Sequence, residues 1–108
     1  PSFPSLGRNS NRHWARQAVL MLDQALTIAS QLKTLEAEML KAHGIDDTSR
    51  LIRLYQQAGE LKEAMGDVDA ACFYFTHAYV FALEMGDPSS TEILGNLVRH
   101  GRDAYPAN

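Results

Sequence analysis

Residues 54–88 read LYQQAGELKEAMGDVDAACFYFTHAYVFALEMGDP, and the reading of this stretch decides the fold. Two tetrapeptides punctuate it twenty residues apart, Ala64-Met65-Gly66-Asp67 and Glu84-Met85-Gly86-Asp87. Glycine takes the left-handed conformation that ends a helix; aspartate then caps the next helix and suits its positive end. Twenty residues make one helix and one turn, and connections this short turn sequential helices into antiparallel neighbours. The stretch predicts a helix over about 48–65, with the apolar stripe Leu51, Leu54/Tyr55, Ala58, Leu61 and Met65, and another over about 68–85. Between Val68 and Leu83 the clearly polar residues of the latter are Asp69, Thr76 and His77. A helix this apolar all round belongs in the middle of a bundle.

Upstream, Asp46, Asp47, Thr48 and Ser49 form a turn and cap cluster, preceded by a long helix over about 11–43. Ser10 or Asn11 can cap that helix and Gly44 ends it. Its apolar residues form several seams. One runs through Ala18, Leu22, Ala25, Ala29, Leu32 and Met39, interrupted by Glu36. A second holds Met21, Ile28 and Leu35, and a shorter third Val19 and Leu26. Several stripes mean that more than one side is covered. Thr34, β-branched, marks a place where the helix could break. Downstream, Pro88 opens a turn, Ser89 and Glu92 have the spacing of a capping box, and a last helix is expected over about 90–104. No segment alternates with a period of two, so no strand is expected. The expected fold is all-α. It is an antiparallel helix-hairpin array or bundle of about four helices with a long first helix: an irregular leader over 1–10, then one domain over 11–108.

The stretch from about Arg53 to Pro88 resembles a tetratricopeptide repeat (TPR). An aromatic that begins helix A looks like Tyr55, and the large–small pair after it looks like Ala58-Gly59. The small–aromatic–small positions of helix B match Ala71, Phe75 and Ala78. Small residues let two helices approach closely and an aromatic fills the remaining space. The resemblance implies a TPR-like unit over about 50–87 and a half-unit over 89–105, where Leu94-Gly95 follows Ala58-Gly59 by 36 residues. The pattern is departed from at Lys62, where an aromatic is usual, and at Leu83, near the usual proline.

The 108 residues suit about one domain, and 45% hydrophobic with 21% charged residues is the composition of a folded protein. The net charge of −3 is uneven. Residues 1–20 carry Arg8, Arg12 and Arg16 and no acid, whereas residues 21–108 carry 7 basic and 13 acidic residues. Three arginines are too few to argue for a nucleic-acid partner, and none is expected. The single cysteine, Cys72, excludes an intrachain disulfide and suits a reducing, cytoplasmic compartment. No apolar run approaches the ~18 residues of a membrane span, so no membrane insertion is expected. The first residue is Pro1, which points to a trimmed, processed or partial chain.

No catalytic motif is present. There is no P-loop, dinucleotide fingerprint, H-E-x-x-H or G-x-S-x-G. His13, His43, His77 and His100 are isolated from one another at metal-ligand spacing. Cys72 and His77 lie about 140° apart around a helix, which disfavours a local nucleophile pair. The acid pairs Glu36/Glu38, Asp46/Asp47, Glu60/Glu63 and Asp67/Asp69 read as caps or solvated faces. Gly95 and Gly101 read as helix punctuation. An enzyme is not expected, nor a cofactor or metal.

The expected function is docking of a peptide or helix of another protein, as a scaffold or adaptor. Phe73 and Val80, rimmed by Thr76 and His77 on the polar edge of the third helix, form one candidate seam. Arg99 and Arg102 are candidate donors to a partner's carboxylate. Two alternatives stand beside it. An export or assembly chaperone of four-helix type would mask a client helix and show a long apolar seam on helix 1. A dimerisation domain would pair through Met21, Leu22, Ile28, Leu32 and Leu35, giving a homodimer.

Overall fold

The computed structural model describes residues 7–102, with side chains from residue 13 onward; residues 1–6 of the leader expected over 1–10, and the last residues, 103–108, lie outside it, while residues 7–10 are helical and not irregular. Four helices follow in order: α1 (Gly7–Gly44), α2 (Thr48–Ala64), α3 (Val68–Met85) and α4 (Ser89–Arg99). Among the described residues there is no strand. Sequential helices pack on one another, α1 on α2, α2 on α3 and α3 on α4. The result is an open, elongated helical array of 65 × 33 × 19 Å.

The turns follow local chemistry. Asp47 caps α2 by accepting the Arg50 amide at 3.2 Å, and Asp67 caps α3 by accepting the Ala70 amide at 3.1 Å. Gly66 and Gly86 take positive φ, 80° and 67°. An L side chain there costs about 1 kcal/mol or more. Gly86→Ala is expected to lower stability by that amount, read as a shift in urea midpoint at constant slope.

Several details differ from the sequence expectation. α1 begins at Gly7, so Ser10 and Asn11 lie within it and do not cap it, and it runs unbroken through Thr34. The Thr34 hydroxyl donates back to the Ser30 carbonyl at 3.2 Å and stays within the helix. After α1 the left-handed residue is Asp46, φ 56°, and not Gly44. At α4, Pro88 takes the cap position and Ser89 is already helical, so the Ser89–Glu92 box does not form. The Asp87 carboxylate receives the Ser89 amide at 2.9 Å instead, and that bond holds its pKa below the ordinary aspartate value. α4 ends at Arg99, because Gly101 turns left-handed and the Arg102 amide closes back on the Leu97 carbonyl. Gly95, expected as punctuation, sits inside α4.

The core lies between α2 and α3 and spreads to both sides. Phe75, Ala71, Ala78, Ile93 and Leu97 form its α3–α4 half. Leu32, Met39 and Ala42 meet Leu51, Leu54 and Ala58 in its α1–α2 half. Gly59 is the closest point: a Cβ there would stand 2.5 Å from Phe75 Cε1. Gly95, the comparable position of α4, has nothing within 4 Å.

Candidate functional site

The outer edge of α3 results from its neighbours. α2 and α4 take the side defined by Ala71, Cys72, Phe75, Ala78, Tyr79 and Ala82, all buried. The opposite stripe is left to solvent, with Phe73 57%, Val80 46% and Leu83 49% exposed. Leu83 was not singled out from sequence, because its place on this stripe depends on where α2 and α4 lie.

Phe73 belongs to an aromatic ladder that crosses to α2 and α1. Its ring centroid lies 4.5 Å from that of His77. His77 stacks on Tyr55 at 5.3 Å and 13°, and its Nδ1 donates to the Phe73 carbonyl at 3.0 Å. Tyr55 meets Tyr74 and Phe81 and shares a 3.0 Å hydrogen bond with His43 Nε2. Burial raises the pKa of the Tyr74 phenol above its ordinary value, with the Glu36 charge a further cause. Tyr55, His43, Tyr74 and Phe81 were not expected in the site. Their contacts join three helices, and no spacing within one helix reports that.

Two shallow clefts flank the ladder. One, about 190 Å³, is lined by Thr76, His77, Val80 and Phe81. The other, about 350 Å³, is lined by Asp69, Cys72, Phe73, Thr76, His77 and Arg102. The structure thus brings together Phe73, Thr76, His77, Val80 and Arg102. The Thr76 hydroxyl bonds back along α3, donating to the Cys72 carbonyl at 2.7 Å. Arg102 bonds Asp69 at 2.7 Å, which raises its pKa further. Arg99 is elsewhere: it bridges α4 to α2 through Glu63 at 3.0 Å and holds Asn96 at 2.8 Å. His100 joins the same Glu63 at 2.5 Å.

A second exposed apolar region lies on α1. Met21 is 69% and Leu22 60% exposed, whereas Ile28, Leu32 and Leu35 pack into the α1–α2 core. The residues named from sequence for self-association therefore fall on two sites, one open and one filled. Glu38, paired with Arg50, has its pKa lowered by that bond. Among the described residues no group of three or more His, Cys, Asp or Glu converges on a metal site, and no helix is long and apolar enough to cross a membrane. No protein-family model matches the chain, and neither a curated protein nor a solved structure matches it.

Proposed function

We propose that this chain is a protein–protein interaction module of the adaptor or scaffold class, docking a peptide or helix of a partner along the outer edge of α3. The observation that carries the reading is the exposed apolar strip Phe73, Val80 and Leu83 beside two clefts. An apolar strip rimmed by polar groups suits an apolar anchor of a partner, and a few such contacts supply most of the energy of an interface. His77, clamped between Phe73 and Tyr55, is pre-ordered, which lowers the entropy lost on binding. Arg102 at one end offers hydrogen bonds to a carboxylate, in exchange with Asp69.

A TPR-like hairpin is the finer reading of α2 and α3. It is supported by the burial of Ala58, Gly59, Ala71, Phe75 and Ala78, the residues that the resemblance assigns to close helix packing. A reducing, cytoplasmic setting goes with it, on the single cysteine. The helix-masking chaperone has its own observation in the uncovered apolar half of α1. The open sequential packing of the helices favours the adaptor over a closed up–down bundle.

The test is affinity capture of partners by the intact protein, beside a Phe73→Glu/Val80→Glu variant. Both side chains are exposed, so circular dichroism is expected to report unchanged helix. A partner held by the parent is expected to bind the variant at least about tenfold more weakly, a loss of about 1.4 kcal/mol. A partner held equally by both sinks the α3 reading.

A further inference from the structure

The first half of α1 extends past the body. α2 ends at Ala64, which shares a shallow cleft with Leu20, Gln24 and Ile28 of α1. Toward the start of α1, Trp14, Val19, Met21, Leu22 and Leu26 are all exposed, none by less than 57%. On the 100° step of a helix, these five and the three alanines between them fill one continuous sector of about 160°. No polar side chain of residues 13–26 falls within it. His13, Arg16, Gln17, Asp23 and Gln24 occupy the other side, with Leu20 as the one apolar exception. Single scattered apolar residues are ordinary on a surface, but a face this broad is not.

We propose that this half of α1 docks on an anionic lipid surface, lying along the headgroup region without crossing it. The breadth of the face selects that occupant. The seam by which α1 packs on the body, Ile28, Leu32, Leu35, Met39 and Ala42, spans about 80° around the same axis. That is the width one neighbouring helix covers. The exposed sector is about twice as wide, close to the half-cylinder that a helix buries when it lies in a membrane interface. Trp14 suits the same setting, because its indole has an apolar body and one polar N–H, the pairing favoured where hydrocarbon meets water.

Charge selects the lipid. The first 20 residues carry three arginines and no acid, and the remainder of the chain carries 13 acids against 7 bases. Through Leu26 the count is Arg8, Arg12 and Arg16 against Asp23. The end that carries the apolar face is thus the end drawn to anionic headgroups, and the acidic body is held off. The chain as a whole has a net charge of −3, so adsorption through its overall charge is not expected. This face is separate from the α3 edge, so either proposal can fail alone.

The experiment is co-sedimentation of the full 108-residue chain with unilamellar vesicles. One set is phosphatidylcholine alone; the other is about three parts phosphatidylcholine to one part phosphatidylserine, an anionic surface. Trp14 is the sole tryptophan, so its emission reports on this face directly. The chain is expected to pellet with the anionic vesicles, with Trp14 emission moved to shorter wavelength, and to be released by high salt. Binding to the neutral vesicles is expected to be at least about tenfold weaker. Leu22→Glu/Leu26→Glu and Arg12→Gln/Arg16→Gln are each expected to lose at least about tenfold in binding, with the helix signal in circular dichroism retained. Phe73→Glu/Val80→Glu is expected to bind vesicles as the parent does. A chain left in the supernatant with anionic vesicles overturns the proposal, including one that instead self-associates or holds a protein helix through Leu22 and Leu26. So does vesicle binding with Trp14 emission unmoved, or binding that either α1 variant leaves unchanged. Equal binding to both vesicle types overturns the anionic assignment.

Discussion

Phe75→Ala is expected to remove about 3–5 kcal/mol of stability, the range for deleting a fully buried phenylalanine. Phe75 is 0% exposed and sits where α2, α3 and the α3–α4 core meet. Its ring fills the space left by Gly59 and is bordered by Ala71 and Ala78, which have no longer side chain to move into a cavity. Collapse around the missing ring is therefore limited, and the cavity term is expected near its full size. A domain of this size has about 5–15 kcal/mol in total, so the variant lies close to the threshold of folding. Each kcal/mol shifts the melting temperature of such a domain by about 4–8 °C. A fall of at least about 12 °C is expected in thermal circular dichroism. A loss below about 1 kcal/mol would show that the α2–α3 packing described above is not the core of the fold.

The second large effect is a reversal of sign. Gly→Ala inside a helix ordinarily stabilises by about 0.5–1 kcal/mol. At Gly59 the new Cβ would stand 2.5, 2.7 and 2.9 Å from three carbons of the Phe75 ring. The ring is fully buried and cannot swing into solvent, so overpacking is expected to cost about 1–3 kcal/mol net. Gly95→Ala is the control. Gly95 is helical with nothing within 4 Å, and the same substitution there is expected to stabilise. Phe75→Leu combined with Gly59→Ala is expected to cost less than the sum of the two, because one relieves the crowding that the other makes. Chemical denaturation of the four variants checks this; equal signs at Gly59 and Gly95 would contradict the close approach of α2 and α3.

Most of the fold was legible because its signals are local. The repeated Met-Gly-Asp turns place the ends of α2 and α3 through one glycine torsion and one aspartate hydrogen bond each. The small–aromatic–small pattern of α3 named the residues that pack on Ala58-Gly59. What failed was also local but competitive. At Ser89 two capping schemes are available, and Asp87 forms the bond that the Ser89–Glu92 box was expected to supply. At the end of α4, Gly101 turned the chain before the expected stop.

The candidate site was less legible, because exposure depends on which neighbours arrive. Phe73 and Val80 could be named from their polar flanks on one helix. The stacking of His77 on Tyr55 could not, since it requires the crossing geometry of two helices. Arg99 and Arg102 are three residues apart and looked equivalent. The turn at Gly101 sends Arg102 to Asp69 on α3, while Arg99 remains on α4 facing Glu63 of α2. On α1 the periodicity showed several seams but not how far α2 reaches along them, so filled and open positions were grouped together.

The central claim is that the outer edge of α3 is the surface a partner covers. Amide hydrogen exchange of the intact protein, alone and saturated with the partner identified by capture, tests it most directly. Partner binding suppresses local opening where it seats. The account predicts added protection across residues 73–84 of α3 and the facing turns of α2 around Tyr55. Protection confined to α1 or to α4, with α3 unchanged, would contradict it.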